Sequence, residues 1–238
     1  MVDYLTHPLD SCFKRVERAH EHLLNLKAQA DDTFRKQANS VVFEFDPNPP
    51  YKRIMNLALP AETFSGMQFG ILMGEICYNL RSALDYLVFE LAILDSSAEQ
   101  SGTQFPIIDT KEDFVRDAER RWLKGISPSH VAAIERLQPY NGCNWTRLLR
   151  ECSNPDKHRH FMRSGGNVAA RGYSSLERDL SRICGYPRTA PHAVYGTVDV
   201  KVHVTGNITF PDGTPVIGTF EEIEREVANT LAYFKPDF

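Results

Sequence analysis

One stretch constrains this chain more than any other. From Phe69 to Leu94 the sequence reads FGILMGEICYNLRSALDYLVFELAIL. Wound as a helix, it is apolar on nearly every side, and such a helix in a globular protein lies in the middle of its fold, covered by others. With Pro60 placed in a first helical turn, the segment from about 60 to 94 reads as one long central helix. Glu75, Asn79, Arg81 and Asp85 interrupt its apolar surface. They keep it short of the roughly 18 uninterrupted apolar residues a membrane span needs, so no membrane partner is expected.

Those interruptions are where chemistry would sit. Arg81 and Asp85 fall one turn apart on one face, and Glu75, Asn79, Ser82 and Tyr86 form a neighbouring stripe. Burying such groups costs several kcal/mol unless partners meet them. The sequence offers one concentrated source of partners, Asn154-Pro155-Asp156-Lys157-His158-Arg159-His160. It carries both signs of charge and two imidazoles able to exchange protons near neutral pH. The expectation is that this run faces the central helix. The cluster is then either a polar network that pins helix packing or a site. In a site, Arg81 and His158 act, Asn79 and Asp85 orient them, and Glu75, Tyr86, Asp156, Lys157, Arg159 and His160 line it.

Around this centre the punctuation is clear. A helical period runs from about 9 to 36. VVFEF, the turn DPNPP and YKRIMNLAL read as a hairpin or strand pair. Thr110 with Asp113 resembles a capping box, and Ser127 followed by Pro128 opens a helix carrying Val131, Ile134 and Leu137, which Pro139 ends. Another helix covers Trp145 to Cys152 and resumes at Asp156 to Met162, and SGGNVAARGYSS reads as a mobile loop. VDVKVHV alternates strictly, with TGN and PDGT as turns separating it from NITF and PVIG. A last helix starts at the capping box Thr219–Glu222 and runs to about 234. The expected class is α+β, one domain over 1–238. It has a helical middle (about 60–165), strands (about 41–59 and 194–218) forming one small antiparallel or mixed sheet against the bundle, and a C-terminal helix (about 220–234).

Composition narrows the function classes. The 238 residues are 42% hydrophobic and 24% charged, with net charge −4 and a pI near 6.1. That is ordinary for a globular domain and provides no global basic field for nucleic acid or anionic lipid. Five scattered cysteines without a C-x-x-C, and a start (MVDYLTHPLD) without a basic region and apolar stretch, point to free thiols in the cytoplasm. G-x-S-x-G, G-x-x-x-x-G-K-[ST] and G-x-G-x-x-G are absent. His158 and His160 are two residues apart and no paired Glu-x-x-His occurs, so neither metal nor cofactor is expected. Arg116, Arg120, Arg121 and Lys124 lie beside Trp122, interleaved with Glu112, Asp117 and Glu119, and read as a solvated face. His20 and His22, within helical reach of Arg15, read as solvated too.

Four ordered blocks carry a resemblance. They are Asn79-Leu-Arg81-Ser-Ala-Leu-Asp85-Tyr86-Leu, Phe105-Pro106-Ile107, Leu137-Gln138-Pro139-Tyr140 and Asn154-Pro155-Asp156-Lys157-His158-Arg159. Together they resemble a family of uncharacterised bacterial proteins, over about residues 50 to 165. The resemblance implies a common fold and brings no activity. In that family histidine takes the place of Tyr86, and the resulting Arg-x4-His spacing is similar to the signature of HEPN ribonucleases, helical bundles that cut RNA without metal. Tyrosine, with a pKa near 10, is a poor base at pH 7. An HEPN-like role would therefore draw its imidazole from His158 or His160. Two readings stand: a non-catalytic interaction or assembly protein, or an HEPN-like RNA-binding protein or ribonuclease. RNA and a second copy of the chain are the candidate partners.

Overall fold

The structure is a computed structural model and describes residues 7–38, 44–45, 53–54, 66–158, 165–174 and 200–238; within these, the side chains of 37–38, 44–45, 53–54, 66–68, 119, 154–158, 165–174 and 200–206 are not described. The chain divides into two compact units. One comprises Met1–Gln29, Ser65–Gly165 and Ile208–Phe238, the other Ala30–Phe64 and Gly166–Asn207.

The first unit is a helical bundle. Helix α1 (Asp10–Ala38) and the central helix α2 (Gly66–Ser96) are followed by α3 (Lys111–Asp113), a single turn that continues as a π-helix over Phe114–Trp122. Helices α4 (Pro128–Arg136), α5 (Asn144–His158) and α6 (Val216–Phe234) complete it. The apolar period of each helix finds its core. In α2, Met73, Ile76, Leu80, Leu84, Leu87 and Leu91 are fully or almost fully buried, and α2 packs on α5 and α6. In α6, Phe220, Ile223, Val227, Leu231 and Phe234 repeat at three- and four-residue spacing and are sealed from solvent. Burial of one such side chain contributes about 1.5–3 kcal/mol. Among the described residues no helix is long and apolar enough to cross a membrane.

The caps read from sequence are in place. The Thr110 hydroxyl accepts from Asp113 N at 3.2 Å, and the Ser127 hydroxyl accepts from His130 N at 3.5 Å with Pro128 in the first turn. At the C-terminal helix the expectation is corrected. Helix α6 begins at Val216, three residues before Thr219, whose hydroxyl donates to Pro215 O at 2.8 Å as an interior helical residue. A β-branched threonine satisfied by the carbonyl one turn back needs no cap of its own.

The α+β class is also corrected: the protein is helical. Among the described residues no single sheet gathers strands from both ends of the chain. Instead β1 (Glu44–Phe45) pairs with β2 (Arg53–Ile54), antiparallel with Glu44 opposite Ile54, and β3 (Gly165–Ser174) pairs with β4 (Val200–Thr209). Local pairing satisfies these strands two by two. The stretch read as a mobile loop, SGGNVAARGYSS, supplies β3, and β4 runs on through Gly206-Asn207 where a turn was expected. The PDGT turn does form: Phe210 N donates to Thr214 O at 2.9 Å, and Gly213 takes the left-handed conformation at φ 88°.

The central helix departs from its expected burial on one side. Ile71, Tyr78, Tyr86 and Leu94 are exposed by 46, 55, 38 and 40%. At about 100° per residue, Ile71, Tyr78 and Tyr86 fall within about 80° of one another on one side of α2, and Leu94 lies further round.

Candidate functional site

Arg81 and Asp85 do meet partners, and the partner is main chain. The Asp85 carboxylate accepts the N–H of Phe105 at 2.8 Å, and the Arg81 guanidinium donates to the carbonyl of the same residue. Arg81 Nε lies 3.5 Å from Asp85 Oδ1, with the two side chains 13 and 32% exposed. Burial pulls the Arg81 guanidinium below its ordinary range, and the Asp85 charge pushes back. The two charges thus grip both polar groups of Phe105, whose ring is fully buried. The adjoining extended segment is held in the same manner. Ile108 N donates to Gln138 Oε1 at 3.0 Å, and fully buried Gln138 donates in turn to Ile134 O at 3.0 Å. Three of the four sequence blocks therefore interlock through backbone groups. Arg81, Asp85 and Gln138 each have hydrogen-bond partners here, as burial demands.

The neighbouring stripe is answered by α1. Arg15 donates to Asn79 Oδ1 at 3.2 Å and to the Tyr86 hydroxyl at 3.0 Å, and its guanidinium lies 5.6 and 5.4 Å from the ring centroids of Tyr78 and Tyr86. Asn79 completes its bonding by donating to Glu75 O at 2.8 Å. Glu75 itself stands 3.1 Å from His22 Nδ1. His22, expected to be solvated, is only 12% exposed; His20, half exposed, pairs with Glu224 at 2.8 Å. Cys12, on the α1 side of this interface, has its thiol pushed up to about 12 by burial and by the Glu90 charge, so it stays protonated.

The other half of the expected cluster lies outside what the structure describes. Asp156, Lys157 and His158 form the end of α5 by backbone, their side chains lie outside the described ones, and Arg159 and His160 lie outside the described residues altogether. The structure brings together Glu75, Asn79, Arg81, Asp85 and Tyr86 along α2, with Arg15, His22, Tyr78 and the Phe105 main chain as partners that the sequence reading did not assign. Arg15 was legible as a residue in helical register with two histidines. The Phe105 backbone was not, because a main-chain partner leaves no mark in side-chain identity.

The basic stripe after residue 111 also changes character. In the π-helix Arg116 is held by Asp113 and Asp117, both at 2.7 Å. A π-helix widens the turn, so the α-helical register that aligned Arg116 with Arg120 and Lys124 does not hold there.

A second titratable group joins α2 to α4. The His130 imidazole sits between Asp95 (2.7 Å) and Asp237 (3.4 Å), and Asp95 also accepts from Ser127 N at 2.8 Å. Burial alone would raise the Asp95 carboxyl. The Ser127 N–H bond and the hydrogen bond and charge of His130 more than offset it, and the net shift is downward. A carboxylate whose folded pKa lies below its unfolded value near 3.9 contributes stability above that value and loses it as pH falls through the folded pKa. Asp95→Asn is therefore expected to cost about 1–2 kcal/mol at neutral pH. Thermal melts should show that gap shrinking below about pH 4; a gap that stays constant down to the acid limit would contradict the assignment. Among the described residues, no three His, Cys, Asp or Glu side chains converge as metal ligands would.

No protein-family model, curated protein or solved structure matches this chain. The functional reading therefore rests on the geometry.

Proposed function

We propose that this chain is a non-catalytic interaction and assembly protein whose polar central helix serves as structural glue and whose outer helix face pairs with a second copy. One observation carries the first part: Arg81 and Asp85 are both engaged with the main chain of Phe105. A guanidinium held this way, and 13% exposed, is poorly placed to receive a phosphate.

The second part follows from the exposed side of α2. Ile71, Tyr78 and Tyr86, with half-exposed Glu75 among them, form a stripe flanked by α1 on one side and by the Phe105 segment on the other. On the α1 flank, Arg15 bonds only neutral acceptors and ring faces among the described residues. On the opposite flank, Asp85 keeps Oδ2 without a hydrogen bond among them. A two-fold axis running along the stripe sets each flank of one copy against the other flank of its partner. That operation brings Arg15 toward Asp85 of the second copy twice over, with Ser82 offering little bulk at the axis. The surface is self-complementary in charge as well as apolar.

Sedimentation equilibrium tests the pairing, and RNA cleavage tests the non-catalytic reading. The wild-type chain is expected at twice the single-chain mass, and Tyr78→Asp, at a half-exposed position that leaves the core untouched, at the single-chain mass. Wild type at single-chain mass across the concentration series, or a Tyr78→Asp variant that remains dimeric, overturns the pairing. Cleavage of single-stranded RNA by wild type but not by Arg81→Ala would replace the non-catalytic reading with the HEPN-like one.

A further inference from the structure

A cleft of about 340 Å³ opens between α4, α5 and α6, lined by Ala133, Leu137, Trp145 and Thr230 and ringed by Arg136, Glu226, Asn229 and Tyr233. It lies away from the α1–α2 interface and has no part in the pairing proposed above. Its volume is at the small end for ligand sites, the size of a metabolite rather than of a larger cofactor. Its floor is the Trp145 ring, 6% exposed, and its wall is the Tyr233 phenol, 61% exposed and edge-on to Phe234.

The rim is electrically divided. Arg136 donates to the Tyr233 hydroxyl at 3.5 Å, the outer limit of a hydrogen bond, and has no carboxylate partner among the described residues. A guanidinium carries five N–H donors, so nearly all of its capacity faces outward. Glu226 is paired with the adjacent, exposed Arg225 at 3.3 Å. Arg136 and Glu226 line the same cleft without forming an ion pair with each other. An aromatic floor between a cation and an anion that do not neutralise one another is complementary to a small zwitterion with an apolar side chain.

We propose that this cleft binds a free aromatic amino acid or a compound of that class, with its carboxylate on Arg136, its ammonium toward Glu226 and Asn229, and its ring between Trp145 and Tyr233. Trp145 is one of two tryptophans, so Trp122→Phe leaves it as the sole indole emitter. In that background L-phenylalanine, 3-phenylpropanoate and phenethylamine are titrated against Trp145 emission. L-Phenylalanine is expected to give a saturable change, and each half-molecule to bind at least about tenfold more weakly, since each lacks one charged hydrogen bond. Arg136→Ala should reduce L-phenylalanine to the affinity of phenethylamine, and Glu226→Gln should reduce it to that of phenylpropanoate. Three probes that bind alike, no saturation up to about 10 mM, or variants that leave the ranking unchanged would overturn the assignment. The half-molecule comparison needs no rim substitution, so it decides the matter even where a variant folds poorly.

Discussion

Asp85→Ala lowers the unfolding free energy by about 3 kcal/mol, the cost of leaving one member of a largely buried ion pair without its partner. Chemical denaturation with an unchanged slope reads it directly. Two losses combine. The Phe105 N–H loses its acceptor, and Arg81, 13% exposed, keeps only the Phe105 carbonyl. Asp85→Asn separates them, because an amide oxygen still accepts from Phe105 N while the charge is gone; it should fall between wild type and alanine. A midpoint for Asp85→Ala within error of wild type would mean that the clamp on Phe105 contributes nothing.

The second large effect belongs to the residue being held. Phe105→Ala is expected to cost about 4 kcal/mol, since a ring with no solvent exposure leaves a cavity that surrounding helices fill only in part. Its main chain remains available to Arg81 and Asp85, so the clamp persists on a segment that no longer anchors the core. Asp85→Ala in the Phe105→Ala background should therefore cost less than in wild type, a coupling that a double-mutant cycle measures. Strict additivity would show that the ring and its backbone are held independently, against the arrangement described.

What could be read from the residues alone follows from where the information lies. Helices α1 and α2 and the caps at Thr110 and Ser127 depend on apolar period and on hydroxyls acting within one turn, both local properties. Thr219 shows the limit of such reasoning: the same hydroxyl that would cap a helix served its interior, and only the path of the chain before Val216 distinguishes the two. The glycine-rich stretch before Ser174 reads as a loop because its glycines and small residues outweigh Val168 and Tyr173; its strand character comes from pairing with β4, a partner some thirty residues on. The candidate site was half legible. Buried polarity in α2 announced that partners exist, and Arg81 with Asp85 were correctly singled out as neighbours. Their partner was sought among charged side chains because those are visible in sequence, whereas a peptide group is offered by every residue. The apolar outer face of α2 was hidden for a related reason: a helix greasy on all sides is indistinguishable, by period, from one whose last side awaits another molecule.

The division of the chain bears on how it matures. The helical unit is assembled from three separated stretches, the last beginning at Ile208, and α6 supplies six sealed apolar side chains to its interior. While the chain is still emerging from the ribosome, α1 and α2 have been made but the helix that closes over them has not. Until α6 has been synthesised and has cleared the ribosome, a nascent chain of this protein holds open the greasy surface that α6 covers, so the length of that vulnerable period is set by elongation speed rather than by final stability.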